Sequence, residues 1–211
     1  MITRALTAVA TGQEVRQCFA ALSRSQCWRD FFVHVAALPS VHPAAQADFL
    51  TLWTRIGWLL RTYQIKDDAV LLNGLWKLLP PYDGPPLDLW RGQLRDEPVG
   101  MSWTSSLLVA RKFALYDTSL LELCDERGNF SEAILAADVA RRGLTARTGA
   151  VVLAALQVSA AHIICAPCLH GYDYEDEYIV DPRGIQRNRR WPRERDLAIL
   201  TTFKTRSCQS L

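Results

Sequence analysis

The chain has 211 residues, a length that favours one domain or one domain with an appendage. Hydrophobic residues make up 49% and charged residues 22%, and the formal net charge is only +2. A balance this close to neutral does not by itself indicate nucleic-acid binding, and no stretch approaches the ~18 apolar residues of a membrane span. The six cysteines are scattered among aliphatic residues, so we expect reduced thiols, in the cytoplasm or after delivery into a target cell by an injection system.

Residues 11–80 carry apolar side chains at the three- and four-residue spacing of helices. Thr11, with Glu14 three residues later, fits a capping box, and Ser25 is expected to cap a second helix. Pro43 suits the first turn of a longer helix, where its missing amide hydrogen is not needed. That helix is expected to carry one apolar stripe, formed by Phe49, Trp53, Ile56, Leu60 and Tyr63.

A proline-rich stretch at 80–86 follows a further predicted helix, and it marks the end of a helical region that we assign to residues 1–84. After it the pattern becomes one of short strands and fewer helices. Helices are predicted at 106–116, capped by Ser105, and from Ser131 to Arg142, with Gly143 as the C-cap. Strands are predicted at 87–92, 101–104, 150–157, 163–164, 175–181 and 197–200.

A pair of carboxylates stands at the start of one predicted strand. Because side chains alternate along a strand, Glu175 and Glu177 lie on one face and Tyr178 and Val180 on the other. Two carboxylates on one face repel each other unless something positive binds there. A sugar cation that forms in a transition state would satisfy this requirement.

Two other short segments precede this pair in chain order. Trp90-Arg91-Gly92 ends a predicted strand, and Ser102-Trp103-Thr104 precedes a capped helix. Each triplet is common by itself, and the carboxylate pair taken alone is typical of a solvated strand edge. Their order and their strand context together are far more specific than any one of them.

The three segments together resemble the Arg-Ser-Glu class of mono-ADP-ribosyltransferases, and they are close to a group of bacterial and phage proteins of that class. Those proteins carry an aromatic-Arg-Gly strand, a Gly-x-Ser-Trp-Thr segment followed by an Ala-x-x-Phe-Ala helix, and a Glu-x-Glu strand that ends in Val-Asp-Pro. The matching stretches here are 90–92, 100–104, 110–114 and 175–182. The resemblance implies an α+β protein whose residues 85–211 form a split β-sheet catalytic domain.

The resemblance also implies the chemistry. NAD would be the substrate, Glu177 would hold the ribose and stabilise its developing positive charge, and Glu175 would orient or deprotonate the acceptor. Glu-x-Glu often accompanies arginine as the acceptor, but relatives also modify other side chains or nucleic acid. We expect a protein acceptor rather than nucleic acid, with an antitoxin or immunity protein as a further partner of such a toxin or effector.

The residues implied in NAD binding are Arg91, Gly92, Ser102 and Thr104. The Arg91 guanidinium suits phosphate or ribose oxygens, and Gly92 would let the nicotinamide amide approach the backbone. Ser102 and Thr104 would support the strand and bond Glu177 or the ribose, whereas Trp103 would point into the core. Two alternatives use the same fold: an NAD glycohydrolase, with water as the acceptor, and an inactive binding module.

Two further features are given structural interpretations. Cys165 and Cys168 have zinc-like spacing. A zinc site usually needs a second ligand pair at a distance, whereas His162 and His170 flank the same short segment, so we predict no metal site. Residues 187–195 hold five arginines, diluted by Glu194 and by Asp196 just beyond. We expect a solvated basic tail, or one that touches the acidic residues of the NAD site, rather than a nucleic-acid patch.

Overall fold

The computed structural model describes residues 1–116, 131–166 and 177–185. The chain divides into two compact units. The first contains Met1–Gly84 and the segment that begins at Ile163, and the second contains Pro85–His162 and residues 177–185. The helices and antiparallel strands of the chain are those of an α+β protein. No helix in these ranges is long and apolar enough to cross a membrane.

The first unit is built from helices around an aromatic core. Its helices are α1 (Ile2–Thr11), α2 (Val15–Ser25), α3 (Trp28–Val35), α4 (Pro43–Leu59), a π-helical turn (Leu60–Gln64) and α5 (Asp68–Leu78). The strand β4 (Ile163–Cys165) is also assigned to this unit. Ring centroids within the core lie 5.5–6.4 Å apart, in the tilted and edge-to-face arrangements that aromatic pairs prefer. The core rings are Phe19, Trp28, Phe31, Phe32 and Phe49.

Two predicted helix starts are wrong. Thr11 is the last residue of α1, and Gly12 ends that helix with φ 74°. The Thr11 hydroxyl donates to the Thr7 carbonyl at 2.9 Å, so it closes a helix instead of capping the next one. Ser25 likewise ends α2, and α3 begins at Trp28. In both places the residue that could cap the next helix is the last residue of the preceding one. The short sequence pattern around it does not distinguish these two positions.

Pro43 begins α4 as predicted, with the His42 side chain accepting from the Ala44 amide at 3.2 Å. The predicted apolar stripe fails at its last member. Leu60 is fully buried, but Tyr63 is 65% exposed. The cause is the π-helical turn, in which the Ile65 amide donates to the Leu60 carbonyl at 2.7 Å, five residues back. This wider turn changes the direction of each side chain after Leu60.

In its described residues the second unit contains an antiparallel sheet and three α-helices. Its strands are β1 (Leu87–Leu94), β2 (Ser102–Thr104), β3 (Ala150–Val158) and β5 (Glu177–Val180), which pair in the order β3–β1–β2–β5. Its helices are α6 (Leu107–Leu115), α7 (Glu132–Arg142) and α8 (Pro182–Ile185). The predicted strand at 197–200 lies outside the described residues.

The predicted elements of this unit that fall within the described residues exist, with altered ends. α7 follows the prediction, since the Ser131 hydroxyl accepts from the Ile134 amide at 3.3 Å and Gly143 ends the helix with φ 63°. β1 does not stop at Gly92 but continues to Leu94. Ser106, not Ser105, caps α6, accepting from the Val109 amide at 3.3 Å.

Candidate functional site

Strands β2 and β5 bring Ser102 and Glu177 together. The antiparallel register pairs Thr104 with Glu177 and Ser102 with Ile179, so these four side chains share one face of the sheet. Ser102 is diagonal to Glu177, a separation within reach of a long side chain. The Ser102 hydroxyl donates a hydrogen bond to Glu177 Oε1. Residues that are 75 positions apart in sequence therefore form one contact.

Arg91 reaches the same point from β1. Its Nη1 donates to the Ser102 carbonyl oxygen at 2.6 Å, and its Nε donates to Gln93 Oε1 at 2.9 Å. Ser102 thus contacts Arg91 through its main chain and Glu177 through its side chain. A cation and an anion lie on two sides of one serine, and the arginine is held in a fixed direction.

Two further residues support Arg91: Gln93, which lies outside the sequence motifs, and Gly100, which begins the Gly-x-Ser-Trp-Thr segment. Gln93 is buried, and its amide nitrogen donates to the Glu97 carbonyl at 2.7 Å, so the acceptor that it presents to Arg91 is fixed in place. A side chain at Gly100 would meet the guanidinium, whose Cζ lies 2.7 Å from the position of an added Cβ. Strand alternation, which places Arg91 and Gln93 on one face, could have indicated the first of these.

The structure gives Gly92 a packing role in addition to the expected one, which stays a prediction. A Cβ at this position would overlap the Ala110 carbonyl oxygen and the Ala114 nitrogen of α6. The glycine is therefore required by the close packing of α6 on β1, and the expectation that it serves ligand approach is not needed to explain it. Its main chain still lines the pocket described below.

Thr104 and Trp103 hold β2 in place. Thr104 is buried, directly opposite Glu177, and its Oγ1 accepts from the Ser106 amide at 3.1 Å. That bond forms the turn from β2 into α6, so the threonine has a structural role whatever else it does. Trp103 is buried as predicted, and its indole nitrogen donates to the Gly100 carbonyl at 3.1 Å.

A pocket of about 330 Å³ lies over these residues. This is within the range of small-molecule sites, roughly 300–1,000 Å³. Its walls include the half-buried rings of Trp90 and Phe113, which offer flat apolar surface beside the charged groups. The Lys112 ammonium lies 4.9 Å from the Phe113 ring centroid and is itself buried. The lining residues are Trp90, Arg91, Gly92, Ser102, Trp103, Thr104, Ala110, Phe113 and Glu177.

The end of β5 is fixed by main-chain and ionic contacts. The Val180 amide donates to the Met101 carbonyl at 2.7 Å, next to Ser102. Asp181 is buried, and its carboxylate accepts from Arg183 Nη2 at 2.6 Å and from the Arg183 amide at 3.0 Å. The hydrogen bond to Asp181 raises the pKa of Arg183, which therefore stays charged. The bond between Val180 and Met101 helps to set the register that places Glu177, whereas the contacts between Asp181 and Arg183 hold the turn after β5.

Three predicted positions lie outside the described residues: Glu175, Cys168 and His170. Cys165 is buried, and its thiol donates to the Ala166 carbonyl at 3.2 Å. Within the described ranges no three metal-ligating side chains come together.

No protein-family model, curated protein or solved structure matches this chain. What it does is therefore inferred from the chemistry of its own residues. A carboxylate held by a hydroxyl, an arginine fixed 2.6 Å from the same serine's carbonyl, and two aromatic walls suit a ligand that carries anionic, sugar-like and flat ring parts.

Proposed function

We propose that this protein is a mono-ADP-ribosyltransferase, which moves ADP-ribose from NAD to a macromolecular acceptor and releases nicotinamide. One observation carries the proposal: Ser102 contacts both Arg91 and Glu177 on the wall of one pocket. These are the three residues that the resemblance of the sequence implicates. An inactive binding module of the same fold would not require Arg91, Ser102 and Glu177 to be in contact.

The residues present fit NAD. The Arg91 guanidinium suits the diphosphate, because its planar donors match phosphate oxygens. Trp90 or Phe113 offers a flat surface for the nicotinamide or the adenine ring. NAD itself supplies the reactive bond, an N-glycosidic bond from the ribose to a positively charged nicotinamide ring. Breaking that bond leaves positive charge on the ribose.

Glu177 is the group that would stabilise this charge. The C1′–N bond breaks with its electron pair going to nicotinamide, which leaves neutral, while the acceptor forms a bond to C1′ and loses a proton. The Ser102 hydroxyl holds Glu177 in one orientation, so the carboxylate need not reorganise as charge develops. Glu175 is proposed to receive the acceptor proton.

Labelled NAD, incubated with purified protein and a cell lysate, tests this function. Glu177→Gln should abolish labelling. Ser102→Ala should lower the rate by about 10- to 150-fold, because a hydrogen bond to a charged group contributes about 1.5–3 kcal/mol. Glu14→Gln is the matched control, since Glu14 is an exposed glutamate whose ion pair is with Arg4. We expect it to label as the wild type does.

Digestion of the labelled lysate identifies the acceptor class. Label that disappears with protease indicates a protein, and label that disappears with nuclease indicates nucleic acid. Free ADP-ribose without any labelled acceptor would replace the transferase by the NAD glycohydrolase. If wild type and Glu177→Gln consume NAD equally, Glu177 has no catalytic role and the proposed function is wrong.

A further inference from the structure

The end of α4 and the π-helical turn expose an unusual set of side chains. From residue 54 to residue 66, each exposed residue is a threonine, a tryptophan, a tyrosine, an arginine or a lysine. None is aliphatic and none is acidic. Trp58 is 63% exposed and Tyr63 is 65% exposed. We call the aromatic–basic surface the group formed by Arg55, Trp58, Arg61, Tyr63 and Lys66.

The π-helical turn brings the two rings together. Residues five apart in a regular α-helix point about 140° away from each other. Here the ring centroids of Trp58 and Tyr63 are 6.1 Å apart with an interplanar angle of 72°, an edge-to-face pair. The turn thus takes Tyr63 out of the apolar stripe and pairs it with an exposed tryptophan. π-Turns of this kind occur frequently at functional sites.

The three cations of the aromatic–basic surface are not neutralised within the described part of the chain. Arg55, Arg61 and Lys66 form no ion pair with a residue in the described ranges. The nearest acid in sequence, Asp67, is the N-cap of α5 and accepts from the Ala69 amide at 3.0 Å. Residues 54–66 therefore carry three positive charges and no acid, and the exposed Asp67 and Asp68 follow directly after them.

We propose that the aromatic–basic surface binds single-stranded nucleic acid. Exposed rings stack on bases of any sequence, and guanidinium, ammonium and threonine hydroxyl groups bind phosphate. Tryptophan, tyrosine and arginine are also common at protein interfaces, but lysine is depleted there. The lysine and the two exposed threonines beside the arginines in sequence therefore favour phosphate over an acidic protein partner. The inference goes beyond the proposed transferase activity and does not depend on it.

Fluorescence anisotropy with a labelled uridine oligonucleotide, without NAD, tests the inference on the full chain. Trp58→Leu and Tyr63→Leu should each weaken binding by about 5- to 100-fold, while Trp58→Phe should retain most of it. Replacing Arg55 and Arg61 with glutamine should make the slope of log K against log salt shallower by about 1.4, about 0.7 for each phosphate that is no longer neutralised. All four side chains are exposed, so the variants should keep the wild-type melting temperature.

Matched controls come from the same unit. Val33→Ser removes an exposed apolar side chain, and Arg29→Gln removes an exposed arginine; both residues lie outside the aromatic–basic surface. Neither substitution should change the affinity for the oligonucleotide. Residues 187–195 hold five arginines that could also attract the oligonucleotide, so binding by the wild type does not by itself support the inference. The result that supports it is weaker binding by the Trp58→Leu and Tyr63→Leu variants.

Three outcomes would overturn the inference. One is wild-type affinity in both ring-to-leucine variants, which would mean that charge alone attracts the oligonucleotide. Another is competition by polyglutamate as strong as competition by unlabelled oligonucleotide, which would indicate an acidic protein partner. The third is the absence of any binding at low salt.

Discussion

The substitution Gly92→Ala separates two explanations of a glycine in the candidate site. An added methyl group would overlap the Ala110 carbonyl oxygen and the Ala114 nitrogen, both of which belong to the main chain of α6. Main-chain atoms cannot turn away as a flexible side chain can, so the helix must retreat from β1. Overpacking costs about 1–3 kcal/mol, and we expect a value near the upper end, about 3 kcal/mol.

Gly143→Ala is the matched control in the same unit. Nothing lies within 4 Å of its missing Cβ, but its φ of 63° is left-handed. Its cost should be that of the left-handed conformation alone, about 1 kcal/mol. Gly92 shows no positive φ, so the two glycines separate steric overlap from backbone strain.

Urea unfolding of the three proteins measures the difference, which should be about 2 kcal/mol between the two variants. If Gly92 served only the approach of a ligand, Gly92→Ala would be as stable as the wild type and would bind NAD more weakly. A Gly92→Ala variant no less stable than Gly143→Ala would mean that α6 does not pack on Gly92 as closely as described.

Further substitutions probe other parts of the chain. Gln64→Leu should raise the free energy of unfolding by about 1 kcal/mol, because the Gln64 Oε1 is buried without a hydrogen-bond partner in the described ranges; an unchanged urea midpoint would argue against that. Burial raises the pKa of Tyr116 above its usual 10.0, so its contribution to stability is complete below pH 10.0 and is lost as pH rises through the folded-state pKa. Tyr116→Phe should make the fall in stability at alkaline pH less steep in pH-dependent melting curves, and an identical alkaline profile would exclude this role. Gly100→Ala should displace the Arg91 guanidinium and weaken NAD binding by calorimetry, whereas unchanged affinity would mean that Arg91 does not need its present position.

Sequence patterns correctly predicted an element when its start signal, its periodic stretch and its end signal directly follow one another. The helix α7 has its capping serine and its terminal glycine on either side of one periodic stretch, and it forms as predicted. Thr11 and Glu14 look like a capping box at the start of one helix, but Thr11 is the last residue of α1 and Glu14 directly precedes α2. Tyr63 fits the spacing of an α-helix and is exposed only because the helix widens before it, a change that the three- and four-residue pattern does not contain.

The candidate site was predictable to the level of strand faces and no further. Alternation places Ser102 and Thr104 on one face, and the observed register adds Glu177 to it. The reasons for Gly92 and Gly100 lie in long-range packing, against α6 and against Arg91, which neighbouring residues do not indicate. Residues of the three sequence motifs line one pocket, and the structure adds a packing reason for Gly92 and for Gly100.

The two contacts of Ser102 have different consequences. Its hydroxyl holds Glu177, and its carbonyl holds Arg91, so both depend on one residue of a three-residue strand. Ser102→Ala removes the first contact and leaves the second, because the main-chain carbonyl is unchanged. If Glu177 stabilises the transition state and Arg91 binds NAD, this substitution should lower the rate at saturating NAD and leave NAD affinity unchanged. Weaker affinity with an unchanged rate would assign Ser102 to substrate binding and remove the argument that it orients Glu177.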